Sequence, residues 1–368
     1  MRKPKLLFLI GDYGTGGKER QLTEIIKAIP KDKFNIYLFM KCSTSYYFKT
    51  IEHHLCSFFS LKKNHFRFSD ITLLNQFIKS VKPDIVFSFS TTLSHFSLFL
   101  NVIGFSKFRL INGSIRSAPV KFSFHQHIER ILYNFYKEVI SNSKAGLDVY
   151  RQKNKYGRFV LYNGFDKNRI PLMSKNILRK SVGFSKNFNI IMVARMDSEK
   201  DHETFIRAAV EVVNLNSDVH FYLIGDGEMM FKYQSLTKSL NLNSYITFLG
   251  QLEEVEPFFK AADLSILTSG SYHGEGIPNV ILESLACGTP VIATDNGGTS
   301  EILINNYNGY LIPNGNHKLL AKKTMFLKDN PKLINNFSFN ASKSIQRKFY
   351  IEEMIQNFEK IIDFNAAV

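Results

Sequence analysis

The feature that most constrains this chain is a rhythm. Short apolar runs recur at helix-length intervals: Lys5–Ile10, Asn35–Met40, Asp84–Ser90, Phe108–Asn112, Glu138–Ser141 and Arg158–Tyr162 in the first half. Phe188–Ala194, Val219–Ile224, Tyr245–Leu249, Asp263–Thr268, Pro290–Thr294 and Tyr310–Ile312 continue it in the second. Runs this short, rich in Ile, Val, Phe and Leu and lacking an apolar/polar alternation, suit strands buried on both faces. Parallel strands need a crossover of a dozen or more residues, and the intervening segments have that length. The pattern therefore predicts an α/β fold of two doubly wound, Rossmann-like domains, and 368 residues is enough for two cores. We expect residues 1–165 to form the first domain, 166–187 a polar, basic linker, 188–345 the second domain and 346–368 a terminal helical segment.

Composition removes other classes. Cys42, Cys56 and Cys287 are odd in number and have neither C-x-x-C spacing nor histidines at metal-ligand intervals, which predicts reduced thiols in a cytoplasmic protein. The apolar run after the basic start stops at Gly11-Asp12, too short for a signal core. The uncharged stretch Ile85–Ser106 has bilayer-spanning length, but its serines, threonines, histidine and asparagine fit a strand followed by a buried helix.

Residues 1–180 carry 31 Lys+Arg against 11 Asp+Glu, whereas the net charge of the whole chain is +15. The first half is thus set to face something anionic, unless the excess is simply solvated surface charge. Phe122–Ile140, in the same half, repeats aromatics at helical spacing. That spacing favours core packing, with contact to an anionic membrane as the alternative.

Ligands of doubly wound sheets bind outside the carboxyl ends of the strands, so two such domains face to face place a site in the cleft between them. The candidate motifs follow strands. Gly11–Arg20, GDYGTGGKER, would let backbone N–H groups reach an anion at a helix N-terminus, although it fits neither a P-loop nor the dinucleotide fingerprint, and a plain turn explains it nearly as well. ARMDSEK places Arg195 and Lys200 as a possible diphosphate clamp, against a reading as two solvated loop charges. IGDGE, with Asp226, is a second Gly-rich turn. HGEGIPNVILE carries Glu275 and Glu283 eight residues apart. Carboxylates are repelled by a diphosphate but accept well from sugar hydroxyls, so the pair reads as one glutamate on each side of a nucleotide sugar's diphosphate. Glu283 lies in apolar NVILESLACG, where a charge needs a partner.

Taken together, Gly16-Gly17, ARMDSEK, IGDGE and EGIPNVILESLACGTPVIATDNGGTSEIL resemble the family 4 glycosyltransferases, retaining enzymes of the GT-B fold. The resemblance covers nearly the whole chain. It implies that Glu275, with Gly276 and Ile277, contacts the donor sugar, Glu283 the ribose, and Arg195 with Lys200 the diphosphate. Gly16, Gly17 and Asp226 join the donor site, and Glu275, Arg195 and Lys200 act at the reacting centre. It also implies that the terminal helix, about Ile351 to Asp363, crosses back onto the first domain. Where relatives often carry an acceptor-site histidine this chain reads INGSIRS, so Arg116 and His95 are the acceptor candidates, His95 being also readable as a core residue. No D-x-D sequence occurs, which predicts catalysis without metal or other cofactor.

The expected function is transfer of a hexose-type sugar from a UDP- or GDP-linked donor to a glycan or polyprenyl-diphosphate-linked acceptor, in capsule or O-antigen assembly at the inner face of the cytoplasmic membrane. A nucleotide-sugar epimerase of the same fold is the alternative. A basic nucleic-acid-binding protein ranks lower, because no zinc spacing, RNP-like motif or Lys/Arg-dense recognition helix occurs, and no nucleic-acid partner is expected.

Overall fold

The computed structural model describes residues 2–14, 16–43, 46–62, 66–346 and 348–363. They form two compact units: Met1–Arg116 with Phe122–Gly164 and Ile351–Val368, and Ser117–Lys121 with Phe165–Tyr350.

The first unit holds β1 (Lys5–Tyr13), α1 (Gly17–Ala28), β2 (Asn35–Ser43), α2 (Tyr46–Ile51), β3 (Ser57–Ser60), α3 (Asp70–Val81), β4 (Ile85–Ser88), α4 (Thr91–Val102), β5 (Arg109–Ile115), α5 (Phe124–Leu132), β6 (Glu138–Ser141), α6 (Lys144–Val149) and β7 (Arg158–Val160). Its sheet is parallel throughout, ordered β3-β2-β1-β4-β5-β6-β7. β1 shows why an unbroken apolar run was the right strand signal. Leu6, Phe8 and Ile10 enter the core on one face and Leu7 and Leu9 the core on the other, all fully buried. The uncharged stretch from Ile85 is β4 followed by α4, and among the described residues no helix is long and apolar enough to cross a membrane.

In the second unit α7 (Lys175–Ser181), β8 (Phe188–Val193), α8 (His202–Leu215), β9 (Val219–Ile224), α9 (Met230–Ser239), β10 (Ile246–Gly250), α10 (Glu256–Ala261), β11 (Leu264–Leu267), α11 (Asn279–Ala286), β12 (Val291–Thr294), β13 (Gly309–Ile312), α12 (His317–Lys328) and α13 (Pro331–Ile345) build a parallel sheet ordered β10-β9-β8-β11-β12-β13. The fold class expected from the sequence is the one found.

The linker reading of 166–187 is corrected. Leu178 of α7 is fully buried, Phe184 stacks on Tyr222 at 4.1 Å, and Lys175 and Arg179 both pair with Asp263. The segment is part of the second unit's body. Its basic residues, which made it look like solvated linker, are ion-pair partners, and two helical turns are too few to show a period.

The last helix, α14 (Ile351–Ile362), belongs to the first unit. Met354, Ile355, Phe358 and Ile362 recur at three- and four-residue spacing and enter the same core as Phe8 and Phe87. Residues 364–368 of the expected terminal segment lie outside the described residues.

Candidate functional site

In the second unit β8 pairs with β9 on one side and β11 on the other, so the strand order reverses there and opens a crevice beyond the carboxyl ends of both strands. The loops after β8 and β11 are fastened together at that point. Asp201 N donates to Thr268 O at 3.0 Å, Thr268 Oγ1 returns to Asp201 O at 2.7 Å, and Gly270 N donates to Glu199 O at 2.8 Å. The IGDGE turn is tied to the β8 loop by Met196 N donating to Asp226 O at 2.9 Å. Asp201 caps α8 through Thr204 N at 3.0 Å, which fixes the loop's exit.

Glu275 stands in this crevice and is 7% exposed. Its Oε1 takes the ammonium of Lys200 and, at 2.6 Å, the hydroxyl of Ser269. Its Oε2 lies 3.6 Å from His273 Nε2. Burial alone would raise the carboxyl's pKa, but the Lys200 charge and the His273 ring outweigh it and hold the group well below the usual carboxylate range. Glu275 is therefore an anion at neutral pH, where it only accepts hydrogen bonds.

Its backbone is clamped as firmly. Gly298 N donates to Glu275 O at 2.7 Å, and a Cβ on Gly297, whose φ is +56°, would sit 2.1 Å from that oxygen. Gly274 meets the passing segment 117–121 so closely that a Cβ would stand 1.6 Å from Ala118 O. Asn296 and Asn314 hold the carbonyls of His273 and Ser269 at 2.8 and 2.6 Å.

The structure qualifies the reading of Arg195 and Lys200 as two open cations. Lys200 is committed to Glu275. Arg195, 63% exposed at its side chain, spans Glu199 at 2.8 Å and Asp197 at 3.1 Å. The acids Asp197 and Glu199 lie inside the same ARMDSEK motif and balance its charge. Asp226 is exposed on its turn, whereas Gly276 and Ile277 are buried just before α11. Glu283 is 2% exposed on α11, beside Cys287, whose thiol is pushed up to about 12 first by burial and then by the Glu283 charge. Ser269, His273, Asn296 and Asn314 went unmarked in the sequence; His273 stands two residues before Glu275, and only its place in that motif could have signalled it.

The remaining candidates lie in the first unit. Gly16 caps α1 with no side-chain cap, and Gly17 is exposed at the helix start. Arg116 follows β5, donates from Nε to Gly113 O at 3.1 Å and lies 4.3 Å over Phe89. The residue keeps some surface, but its Nη2 is closed off from solvent and makes no hydrogen bond. Burial draws its pKa down to about 9, a shift Glu19 opposes, so it remains a cation at neutral pH. His95 is half-buried and bonds Tyr136 through Nδ1 at 2.6 Å; burial lowers its pKa, and its Nε2 makes no hydrogen bond. Among the described residues no group of three or more His, Cys, Asp or Glu is placed to hold a metal ion.

Comparison with known proteins relates the chain to glycosyltransferases. Residues 174–344 match the family model of the glycosyl transferases group 1. An uncharacterized glycosyltransferase of Methanocaldococcus jannaschii is 25% identical over 99% of both chains. The N-acetylgalactosamine-N,N'-diacetylbacillosaminyl-diphospho-undecaprenol 4-alpha-N-acetylgalactosaminyltransferase of Campylobacter jejuni is 25% identical over 88% of this chain and 91% of its own. Among solved structures, HepE of Anabaena in complex with UDP and glucose superimposes with a TM-score of 0.85 at 22% identity, covering 99% of this chain and 100% of that one.

Proposed function

We propose that this chain is a GT-B glycosyltransferase that moves a hexose-type sugar, with retention and without a metal, from a nucleotide-diphosphate-sugar to a lipid-linked glycan acceptor in cell-surface polysaccharide assembly at the cytoplasmic face of the membrane. UDP is the first choice of nucleotide, because HepE carries UDP and glucose in the same fold. The diphospho-undecaprenol substrate in the name of the Campylobacter relative supports the lipid-linked acceptor.

The observation that carries the reading is the Glu275 cradle. Lys200 and Ser269 occupy Oε1, while Oε2 faces only the His273 ring at 3.6 Å and keeps lone-pair capacity for a sugar hydroxyl. Lys200 carries three protons and can keep Glu275 while turning another toward the departing diphosphate. The solvent-exposed pairs of Arg195 are worth only about 0–1 kcal/mol each, so its fork is released to the diphosphate at little cost. These two cations would balance the charge that grows on the leaving group. In the step proposed, the acceptor oxygen bonds to the anomeric carbon from the face the diphosphate leaves, and the acceptor proton passes to the departing phosphate oxygen. Glu283 is assigned to the ribose, Asp226, Gly276 and Ile277 to the donor surface, and the Gly16-Gly17 backbone to the phosphates or sugar. Arg116, with Nη2 unbonded, is assigned to an anionic acceptor group. The epimerase and nucleic-acid alternatives gain no support from these matches.

Thermal-shift and calorimetric titration with UDP, GDP, ADP and their common sugar conjugates, in EDTA, tests the reading. One nucleotide family should bind, and Arg195→Ala and Glu283→Ala should each weaken it about tenfold or more. A folded protein that binds none of them defeats the proposal.

A further inference from the structure

α5 is amphipathic and stands the wrong way round for a core helix. At 100° per residue, Phe124, Ile128 and Ile131 fall within an arc of about 60°. Phe135, in the 3-10 turn that follows, extends that line by one further turn. These four side chains are 81, 40, 60 and 66% exposed, while the side packed against the unit offers Glu129 at 8% and Tyr133 at 1%. Burial raises the Glu129 carboxyl's pKa, with His125 at 3.2 Å opposing the shift. The core packing that helical aromatic spacing favoured holds for Phe122, Tyr133 and Tyr136, whereas Phe124, Ile128, Ile131 and Phe135 face outward. A continuous apolar stripe of this kind marks a surface that is covered by something.

Charge identifies what covers it. Residues 122–158 hold seven Lys and Arg against three acids. Each acid is already engaged: Glu129 is buried, Glu138 is bonded to Arg109 at 2.6 Å, and Asp148 to Lys153 at 3.1 Å. Lys155 reaches Asn134 Oδ1 at 2.6 Å, which fixes the basic loop 151–158 beside the end of the stripe. Arg151, Lys155 and Lys137 are exposed around it. A second copy of this chain would bring like charges together at such a surface. An apolar ridge flanked by cations supplies the two signals that hold a peripheral protein on an anionic bilayer, insertion of side chains and attraction to headgroups.

We propose that Phe124, Ile128, Ile131 and Phe135 form the membrane-docking ridge of this protein, seated in an anionic lipid surface with Lys137, Arg151 and Lys155 on the headgroups. The proposal deepens the reading of a lipid-linked acceptor by naming the surface that brings the enzyme to it. It is tested without donor or acceptor, so its failure leaves the transferase reading untouched.

The full-length protein is sedimented at low salt with vesicles of phosphatidylethanolamine and phosphatidylglycerol, and with phosphatidylcholine vesicles as the neutral control. Wild type should pellet with the anionic vesicles and not with the neutral ones. Phe124→Ser with Ile131→Ser should reduce partitioning about tenfold or more, and Arg151→Glu with Lys155→Glu should do so in a salt-dependent way. Melting temperature and nucleotide binding should stay at wild-type values in both variants, since all four positions are exposed. The proposal is overturned if wild type stays in the supernatant, or if the stripe variant pellets like wild type. It is equally overturned if light scattering shows a dimer that the stripe variant dissolves while vesicle binding is unchanged, which would make a second copy the occupant.

Discussion

Lys200 and Glu275 are each tolerable inside the second unit only because of the other. Lys200→Ala leaves a buried anion with Ser269 and His273 as its remaining partners, and it should destabilise the unit by about 3–5 kcal/mol in urea denaturation. Lys200→Met combined with Glu275→Leu should recover most of that stability and none of the activity. The pair also sets an acid limb. Because the folded carboxyl lies below its ordinary value of 4.5, its contribution is complete above that pH and fades as pH falls through the folded value. The stability gap between wild type and Glu275→Gln should therefore narrow on going from pH 5 to pH 3, read as urea midpoints. Glu275 was legible because a Gly-Ile-Pro turn isolates it at a helix start. Ser269 and His273 were not, since their roles come from loops that only the sheet brings together, and the ion pairs of Arg195 were not legible because Asp197 and Glu199 are ordinary loop residues until folded.

Turns rather than strands set the precision of the site. Gly297 combines φ +56° with a Cβ position 2.1 Å from Glu275 O, so Gly297→Ala must move the backbone that carries the Glu275 carboxylate. It should cost about 2–4 kcal/mol and lower donor affinity, whereas Gly315→Ala, at φ +69° with no atom within 4 Å, should cost only about 1 kcal/mol and leave affinity unchanged. Parallel thermal melts and UDP titrations of the two variants check this. Every strand but β3 was readable, since buried parallel strands advertise themselves as apolar runs. β3 is a sheet-edge strand of four residues, SFFS, with its first two residues exposed, and carries no such signature. The orientation of α5 was beyond reach for a related reason: periodicity finds an apolar face but does not say what that face meets.

At the scale of the molecule, the first unit is assembled from the two ends of the chain. Phe358 of α14 is fully buried and lies 6.1 Å from Phe8 and 5.5 Å from Phe87 by ring centre, so Phe358→Ala should destabilise this unit by about 3–5 kcal/mol. Hydrogen exchange should show faster opening of β1 and α1 in that variant, with β8 and β11 at wild-type protection. Helical periodicity made α14 visible in the sequence, but nothing in its residues says which sheet it joins, because both cores are built of the same side chains. The arrangement has a consequence for biosynthesis. When Gly164 leaves the ribosome, the first sheet is complete except for α14, and the whole of Phe165–Tyr350 must be translated before that helix exists. At roughly 5–20 residues per second the delay is on the order of tens of seconds, during which the seam around Phe8 and Phe87 stays uncovered on the nascent chain. The earliest-made half of this chain is thus the last to finish folding, and through that interval its apolar seam is a target for whatever chaperone attends the exit tunnel.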